Sequence, residues 1–228
     1  MAIYRLFEQP VFPNPEEAEP DGLLAVGGDL SISRLLAAYA NGIFPWYAEN
    51  SPILWWSTDP RLVLIPNELH TPKSLRRVVN SNRFSVTFDH DFKGVITACA
   101  TTARPEQDGT WIVPEMVEAY IHLHEAGFAH SVESWRDGRL VGGLYGVSIG
   151  RAFFGESMFF CEPEASKVAF IHFVRHLRDH DFAFIDCQQT TRHLLRFGAR
   201  EVRRSNFLAM LHSAVQQSEP SGCWNSSV

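Results

Sequence analysis

Long hydrophobic runs are missing from this 228-residue chain: nothing in it approaches the ~20 consecutive apolar residues that cross a bilayer. Met1 to Glu8 carry no basic segment followed by an apolar stretch and a small-residue cleavage site, so neither membrane insertion nor secretion is expected. Cysteine is scarce. Cys99, Cys161, Cys187 and Cys223 lie far apart, form no CxxC pair and make no disulfide framework, which points to a reducing cytoplasm. The chain also lacks several enzyme signatures. His124-Glu125 would open HExxH, but Phe128 stands where the second histidine belongs. His172, His176 and His180 share a helical face, with no cysteine or carboxylate partner to complete a metal site, and read as a solvated face. Residues 142–150 are glycine-rich but match neither GxGxxG nor a Walker loop, and close strand packing explains them. There is no GxSxG elbow. No metal and no cofactor are expected.

Basic charge is also short, with 20 Lys and Arg against 26 Asp and Glu. Residues 1–60 hold only Arg5 and Arg34 against eight acids, which accounts for the whole net charge of −6 and leaves the rest balanced. Within that remainder Lys73, Arg76, Arg77 and Arg83 cluster without an acid, and five arginines between Arg192 and Arg204 face only Glu201. Such local clusters suit either a polyanion held at one place or ordinary solvated helix faces.

With 45% apolar and 12% aromatic residues, the composition is globular. Residues 10–30 read as irregular. Leu35, Leu36 and Tyr39 mark a helix that begins after Ser31 and stops at Gly42. Thr71-Pro72 reads as a capped helix start. Further helices are expected around Phe92–Ala100 and between Pro114 and Gly127. The period then changes to that of strands: Ala129–Trp135, a hairpin turn at Arg136–Arg139, then Leu140–Ile149 and Arg151–Phe160. A helix over Ala165–Arg178, a strand over Phe182–Gln188, a helix over Thr190–Phe197, an extended Glu201–Arg204 and a capped helix over Ser205–Gln216 complete the chain. Segregated order of this kind favours an α+β fold.

Three features carry chemistry. Alternation along Phe153–Met158 puts Glu156 and Met158 on one face of a largely apolar strand, where a carboxylate is costly unless paired or hydrogen-bonded. Asp186 and Gln188 repeat that oddity on a second strand; Cys187 beside them reads as a small buried hydrophobe. Trp46 and Trp111 sit beside turn signals near the basic cluster, as a stacking platform for a single-stranded nucleotide end would; Trp55 and Trp56 read as core.

Taken together, GLLAVGGDLS (22–31), GIFPW (42–46), LWWSTDPR (54–61), GTWI (109–112), VEAYIHLHEAGFAHSVESW (117–135), LVGGLYGVSIG (140–150), FFGESMF (153–159), ASK (165–167) and IDCQ (185–188) resemble the leucyl/phenylalanyl-tRNA–protein transferase family over almost the whole chain. The resemblance implies an enzyme that moves Leu or Phe, less readily Met, from aminoacyl-tRNA to the α-amino group of proteins beginning with Arg or Lys, marking them for N-end-rule degradation. It implies a small N-terminal α/β domain (1–65) and a C-terminal acetyltransferase-superfamily (GNAT-like) domain (66–228), with a mostly antiparallel mixed sheet flanked by helices. By the same resemblance Trp46 and Trp111 would sandwich the terminal adenosine. Phe153, Met158, Phe173, Ile185 and Leu144 would line the aminoacyl side-chain pocket, with Tyr39 and Tyr120 near it or the acceptor peptide. Asp186, Gln188 and Glu156 would be catalytic, Asp186 taking the amine's proton with Gln188, unless the tRNA's own hydroxyl carries it. Lys73, Arg76, Arg77 and Arg83 would touch tRNA phosphates. The partners would be aminoacyl-tRNA and the acceptor protein, met by a cytoplasmic monomer without a membrane. Two rivals remain: an acyl-CoA N-acetyltransferase, whose pyrophosphate loop Arg151-Ala-Phe-Phe-Gly-Glu156 fails to supply, and a module that only captures tRNA.

Overall fold

In a computed structural model the structure describes residues 3–102, 112–220 and 222–224. The chain begins with a four-stranded sheet built from β1 (Tyr4–Leu6), β2 (Leu23–Gly27), β3 (Phe44–Pro45) and β4 (Leu54–Trp56), in the order β1-β2-β4-β3, with helix α1 (Ile32–Ala40) between β2 and β3. Only β1–β2 is parallel. β2 lies inside the stretch that its Pro and Glu content marked as irregular. Its short run of small and aliphatic residues is completed only by pairing with strands on both sides. Helix α1 follows its pattern: Leu35 and Tyr39 are buried, and Gly42 takes a φ of +71° just past its end.

The second sheet has seven strands in the order β11-β5-β10-β9-β8-β7-β6. Its elements are β5 (Arg61–Leu64), α2 (Lys73–Val79), β6 (Ser85–Phe88), α3 (Phe92–Thr101), α4 (Pro114–Glu125), β7 (Ala129–Arg136), β8 (Arg139–Ile149), β9 (Ala152–Phe160), α5 (Ala165–Asp179), β10 (Phe184–Gln188), α6 (Arg192–Leu195), β11 (Arg200–Val202) and α7 (Arg204–Val215). Every neighbouring pair is antiparallel except β9–β10. The architecture is therefore α+β, with mixed sheets and flanking helices. Residues 61–64, expected in the small N-terminal domain, instead pair with β10 and β11, so the chain enters the large sheet between Trp56 and Arg61.

One apolar core lies on the face covered by α1, α3, α4 and α7 and joins the two sheets, from Leu24 and Trp55 to Phe154 and Phe207. The other lies under α5 and α2 and contains Phe153, Phe173, Leu144 and Ile185. Asp137 and Gly138 both take positive φ in the two-residue β7–β8 hairpin, as that turn requires. The glycines of β8 serve close approach: a Cβ on Gly142 would stand 2.7 Å from that of Ala165 at the start of α5. Two helix starts differ from their reading. Pro72 precedes α2 instead of beginning it and Thr71 does not cap it, whereas α7 is capped from a distance by Asp59, whose Oδ1 accepts from Arg204 N–H at 3.1 Å.

Candidate active site

β9 and β10 pair in register only from Ala152/Phe184 to Phe154/Asp186 and then part. A cavity of about 350 Å³ opens at that split. Its apolar wall comes from Phe153 and Met158 of β9, Leu144 of β8, Phe173 and Phe170 of α5, and Ile185 of β10; Phe44 and Trp46 close another side. The five residues expected around a side-chain pocket thus line one cavity. Phe44, Phe170, His193 and Leu194 line it too, though no sequence signal singled them out.

Two β-bulges aim the polar groups. In β9, Ser157 pairs with Tyr145 and Gly155 with Gly146, so Glu156 is the extra residue. Parity therefore breaks there: Met158 joins Phe153 on the α5 face, while Glu156 reaches toward α4. This corrects the reading that put Glu156 and Met158 on one face. In β10, Asp186 pairs with Val63 and Gln188 with Leu62, so Cys187 is skipped and Gln188 adopts a φ of +59°. Gln188 then spans the split: its Nε2 donates to Glu156 Oε1 at 2.8 Å. Tyr120 OH donates to Glu156 Oε2 at 3.1 Å, which leaves Tyr39 OH to donate to Tyr120. Both tyrosines are fully buried, and burial raises their pKa well above the ordinary value. Burial likewise pushes the Glu156 carboxyl up to about 7, although the hydrogen bonds it accepts from Tyr120 and Gln188 oppose the shift. Cys187 lines the cavity, and burial raises its thiol pKa, so it is held neutral.

Asp186 is placed differently from its expected role as proton acceptor. It is fully buried outside the cavity wall, and Arg61 grips both oxygens: Nε to Oδ1 at 2.8 Å and Nη2 to Oδ2 at 2.7 Å. Oδ1 also accepts from Gln188 N–H at 2.9 Å. The Arg61 guanidinium lies between the rings of Phe44 and Phe207, 4.8 and 4.6 Å from their centroids. Arg61 is the residue that inspection of the sequence passed over, although it ends the LWWSTDPR motif; a basic residue beside a Pro looks like a loop until β5 pairs.

Trp46 lines the cavity and is half-buried; Trp56 packs 5.7 Å from it and donates Nε1–H to its carbonyl at 2.6 Å. Trp55 is core, as read. Trp111 lies outside the described residues. Lys73, Arg76 and Arg77 are exposed on α2. Arg83 is engaged by Glu162 at 3.1 Å. In the second arginine cluster Arg200 pairs with Glu68, and Arg204 is buried with its guanidinium on Ser57 O. His176 is half-buried and packs with tilted rings against Phe88 and His180, at centroid distances of 4.4 and 4.2 Å, in place of a fully solvated face. Asp89, His124 and His130 bring potential ligand atoms within 4.8 Å of one another, but they already form hydrogen bonds, His130 Nδ1 to Asp89 at 2.7 Å and His124 Nδ1 to Ala129 O at 2.8 Å.

An α+β fold that sets an apolar cavity against a buried, hydrogen-bonded carboxyl can seat an apolar group beside a polar centre, an arrangement that suits an enzyme. The comparisons name the reaction. A family model described as the leucyl/phenylalanyl-tRNA protein transferase matches residues 63–212, and one for that transferase's N-terminal domain matches residues 28–59. The chain is 59% identical to the leucyl/phenylalanyl-tRNA–protein transferase of Maridesulfovibrio salexigens, over 98% of this chain and 94% of that protein. It is 60% identical to that of Anaeromyxobacter sp. (strain Fw109-5), over 99% and 96%. Among solved structures, a GCN5-related N-acetyltransferase from Kribbella flavida aligns over 78% of this chain and 63% of its own at 12% identity, with a TM-score of 0.40, too low to assign a fold by. The chain belongs to the leucyl/phenylalanyl-tRNA protein transferase family and is an aminoacyltransferase that acts on aminoacyl-tRNA and a protein substrate.

Proposed function

We propose that this enzyme transfers Leu or Phe, and less readily Met, from aminoacyl-tRNA to the α-amino group of proteins with N-terminal Arg or Lys, marking them for N-end-rule degradation. The observation that carries this reading is the cavity at the β9–β10 split: apolar walls from Phe153, Met158, Phe173, Ile185 and Leu144, with Glu156 and Gln188 across its polar side. Such walls accept an unbranched-at-Cβ apolar side chain and disfavour Val or Ile, with discrimination of about 1–3 kcal/mol per methylene-sized difference. A strand pair that splays after three residues also suits the GNAT-like architecture proposed for the large sheet.

The aminoacyl ester is already activated, so the enzyme needs neither a metal nor a covalent intermediate. It works as a cytoplasmic monomer. Its task is to bring an amine to the ester carbonyl and remove the amine's proton. A free α-amino group has a pKa near ~8 and arrives largely protonated. Glu156, titrating at about 7 and lining the cavity, accepts that first proton. The freed amine attacks the ester carbonyl, and as the carbon–oxygen ester bond breaks a second N–H proton passes to the departing oxygen, which leaves as the tRNA hydroxyl. Asp186 acts as a positioning residue: paired with Arg61, it holds the backbone of Gln188 so that the amide reaches Glu156. Trp46 stacks on the terminal adenosine with Trp111, while Lys73, Arg76 and Arg77 meet phosphates. Arg83, already held by Glu162, contributes less to that contact.

Incubation of the protein with radiolabelled leucyl-tRNA and a peptide beginning with Arg, beside acetyl-CoA controls, tests the reading. Label reaching the peptide from the tRNA alone supports it. Acetylation supports the acyl-CoA rival, and tRNA binding without transfer leaves only a capture module.

A further inference from the structure

The chain beyond α7 has no part in the chemistry above, yet it runs to the back of the cavity. After Val215 it turns, Gln217 N–H donating to Ala214 O at 3.2 Å, and passes the β8–β9 turn, where a Cβ on Gly150 would stand 2.7 Å from Gln217 O. Helix α7 packs Phe207, Leu211 and Ala214 into the core on its own face of the sheet. Cys223 and Trp224 belong to the core on the opposite face, so the chain rounds the end of the sheet between them. Glu219 fastens the crossing, because its Oε1 accepts from Ser148 Oγ and, at 2.9 Å, from Trp224 Nε1.

Trp224 ends in an aromatic nest. Its ring lies flat on His130, with centroids 4.0 Å apart at 7°, and 5.7 Å from both His176 and Phe153. Phe153 touches Phe173 at 4.5 Å and lines the cavity. A Phe ring keeps its place only if something fills the space behind it, since buried side chains relax into voids. From this geometry we infer that Trp224 is a positioning residue for Phe153, which sets the depth of the side-chain cavity and thereby the preference between Phe and Leu. The inference rests on reading that cavity as the aminoacyl pocket. With the indole gone, Phe153 retreats and the cavity deepens, which favours the longer aromatic substrate over the shorter aliphatic one.

The test measures kcat/KM for phenylalanyl-tRNA and leucyl-tRNA with one Arg-initiated peptide, using the full chain and its Trp224→Ala, Trp224→Leu, Trp224→Phe and Phe153→Ala variants. Trp224→Ala is expected to raise the Phe:Leu ratio about tenfold, Trp224→Leu about threefold, and Trp224→Phe to stay within about twofold of the parent. If the alanine variant fails to fold, the leucine variant decides. An equal fall for both substrates would reduce Trp224 to a structural prop and overturn the inference. If Phe153→Ala shifts the ratio and no Trp224 variant does, the inference alone fails; if none of them shifts it, the pocket reading fails with it. A shift with the Trp224 variants but none with Phe153→Ala would overturn the proposed route through Phe153.

Discussion

At Glu156 the proposed chemistry and the stability of the fold meet in a single carboxyl. Its folded pKa of about 7 stands above the ordinary 4.5, so between those values the folded protein keeps a proton that the unfolded chain has released. Stability therefore falls as pH rises through that window and levels off above about 7. Glu156→Gln cannot titrate there. Its advantage over the parent should be negligible below the window and grow to about 3 kcal/mol near pH 8, read from urea midpoints. The same change should remove the rise in transfer rate through about pH 7; a variant that kept that rise would show another group to be the base. Arg61 behaves in the opposite manner. Arg61→Met strands the buried Asp186 carboxylate and should cost about 3–5 kcal/mol, whereas Arg61→Met with Asp186→Leu should recover most of the stability and none of the transfer rate. Asp186→Ala should lower kcat far more than tRNA affinity, and matched losses would deny it any positioning of Gln188.

Strands carry the next level of organisation, and the site depends on where they fail to be regular. The bulge in β9 at Glu156 and the skipped Cys187 in β10 turn the polar side chains toward the split, while Phe153, Met158, Leu144 and Ile185 keep the opposite wall apolar. Gly146 faces the β9 bulge, and a Cβ there would lie 2.1 Å from Phe154 O, a backbone atom that has nowhere to go. Gly146→Ala is accordingly expected to lower Tm and to weaken transfer together, measured by calorimetry and the leucyl-tRNA assay. Helix α2 presents Lys73, Arg76 and Arg77 exposed at its surface. Replacing all three with Ala should weaken tRNA binding and flatten the dependence of log affinity on log salt by about 0.9 per lost phosphate contact, or about 0.7 on a single strand. An unchanged slope would send the search to the exposed Arg192 and Arg196.

For the molecule as a whole, the two sheets share one core. Phe44 of the small sheet stacks on Arg61 of the large one, Arg61 stacks on Phe207 of the last helix, and Trp55, Tyr39 and Phe154 belong to one apolar cluster. Units joined in this way should melt as one. Far-UV circular dichroism and tryptophan fluorescence are expected to report a single coincident urea transition, and separated midpoints would show two independent domains. Much of this plan was readable beforehand. The β7–β8–β9 meander, α4 and α5 follow from periodicity and turn chemistry, and the five cavity-lining residues were implied by the family resemblance. β2 and β5 were not readable, being short segments whose strand character comes only from partners distant in sequence.

Residue type and spacing by themselves determined that the chain is α+β, that Glu156, Asp186 and Gln188 are unusual in their strands, and which family the motifs belong to. These properties are local: propensity, period and motif are complete within a few residues. Only the tertiary structure decided how each carboxyl is partnered. Asp186 and Glu156 look alike in their strands, but Arg61, brought from 125 positions away, neutralises one, while Tyr120 and Gln188 hydrogen-bond the other, which has no cation partner among the described residues. Burial and ion pairing are properties of packed neighbours, and the order of residues along a strand does not contain them.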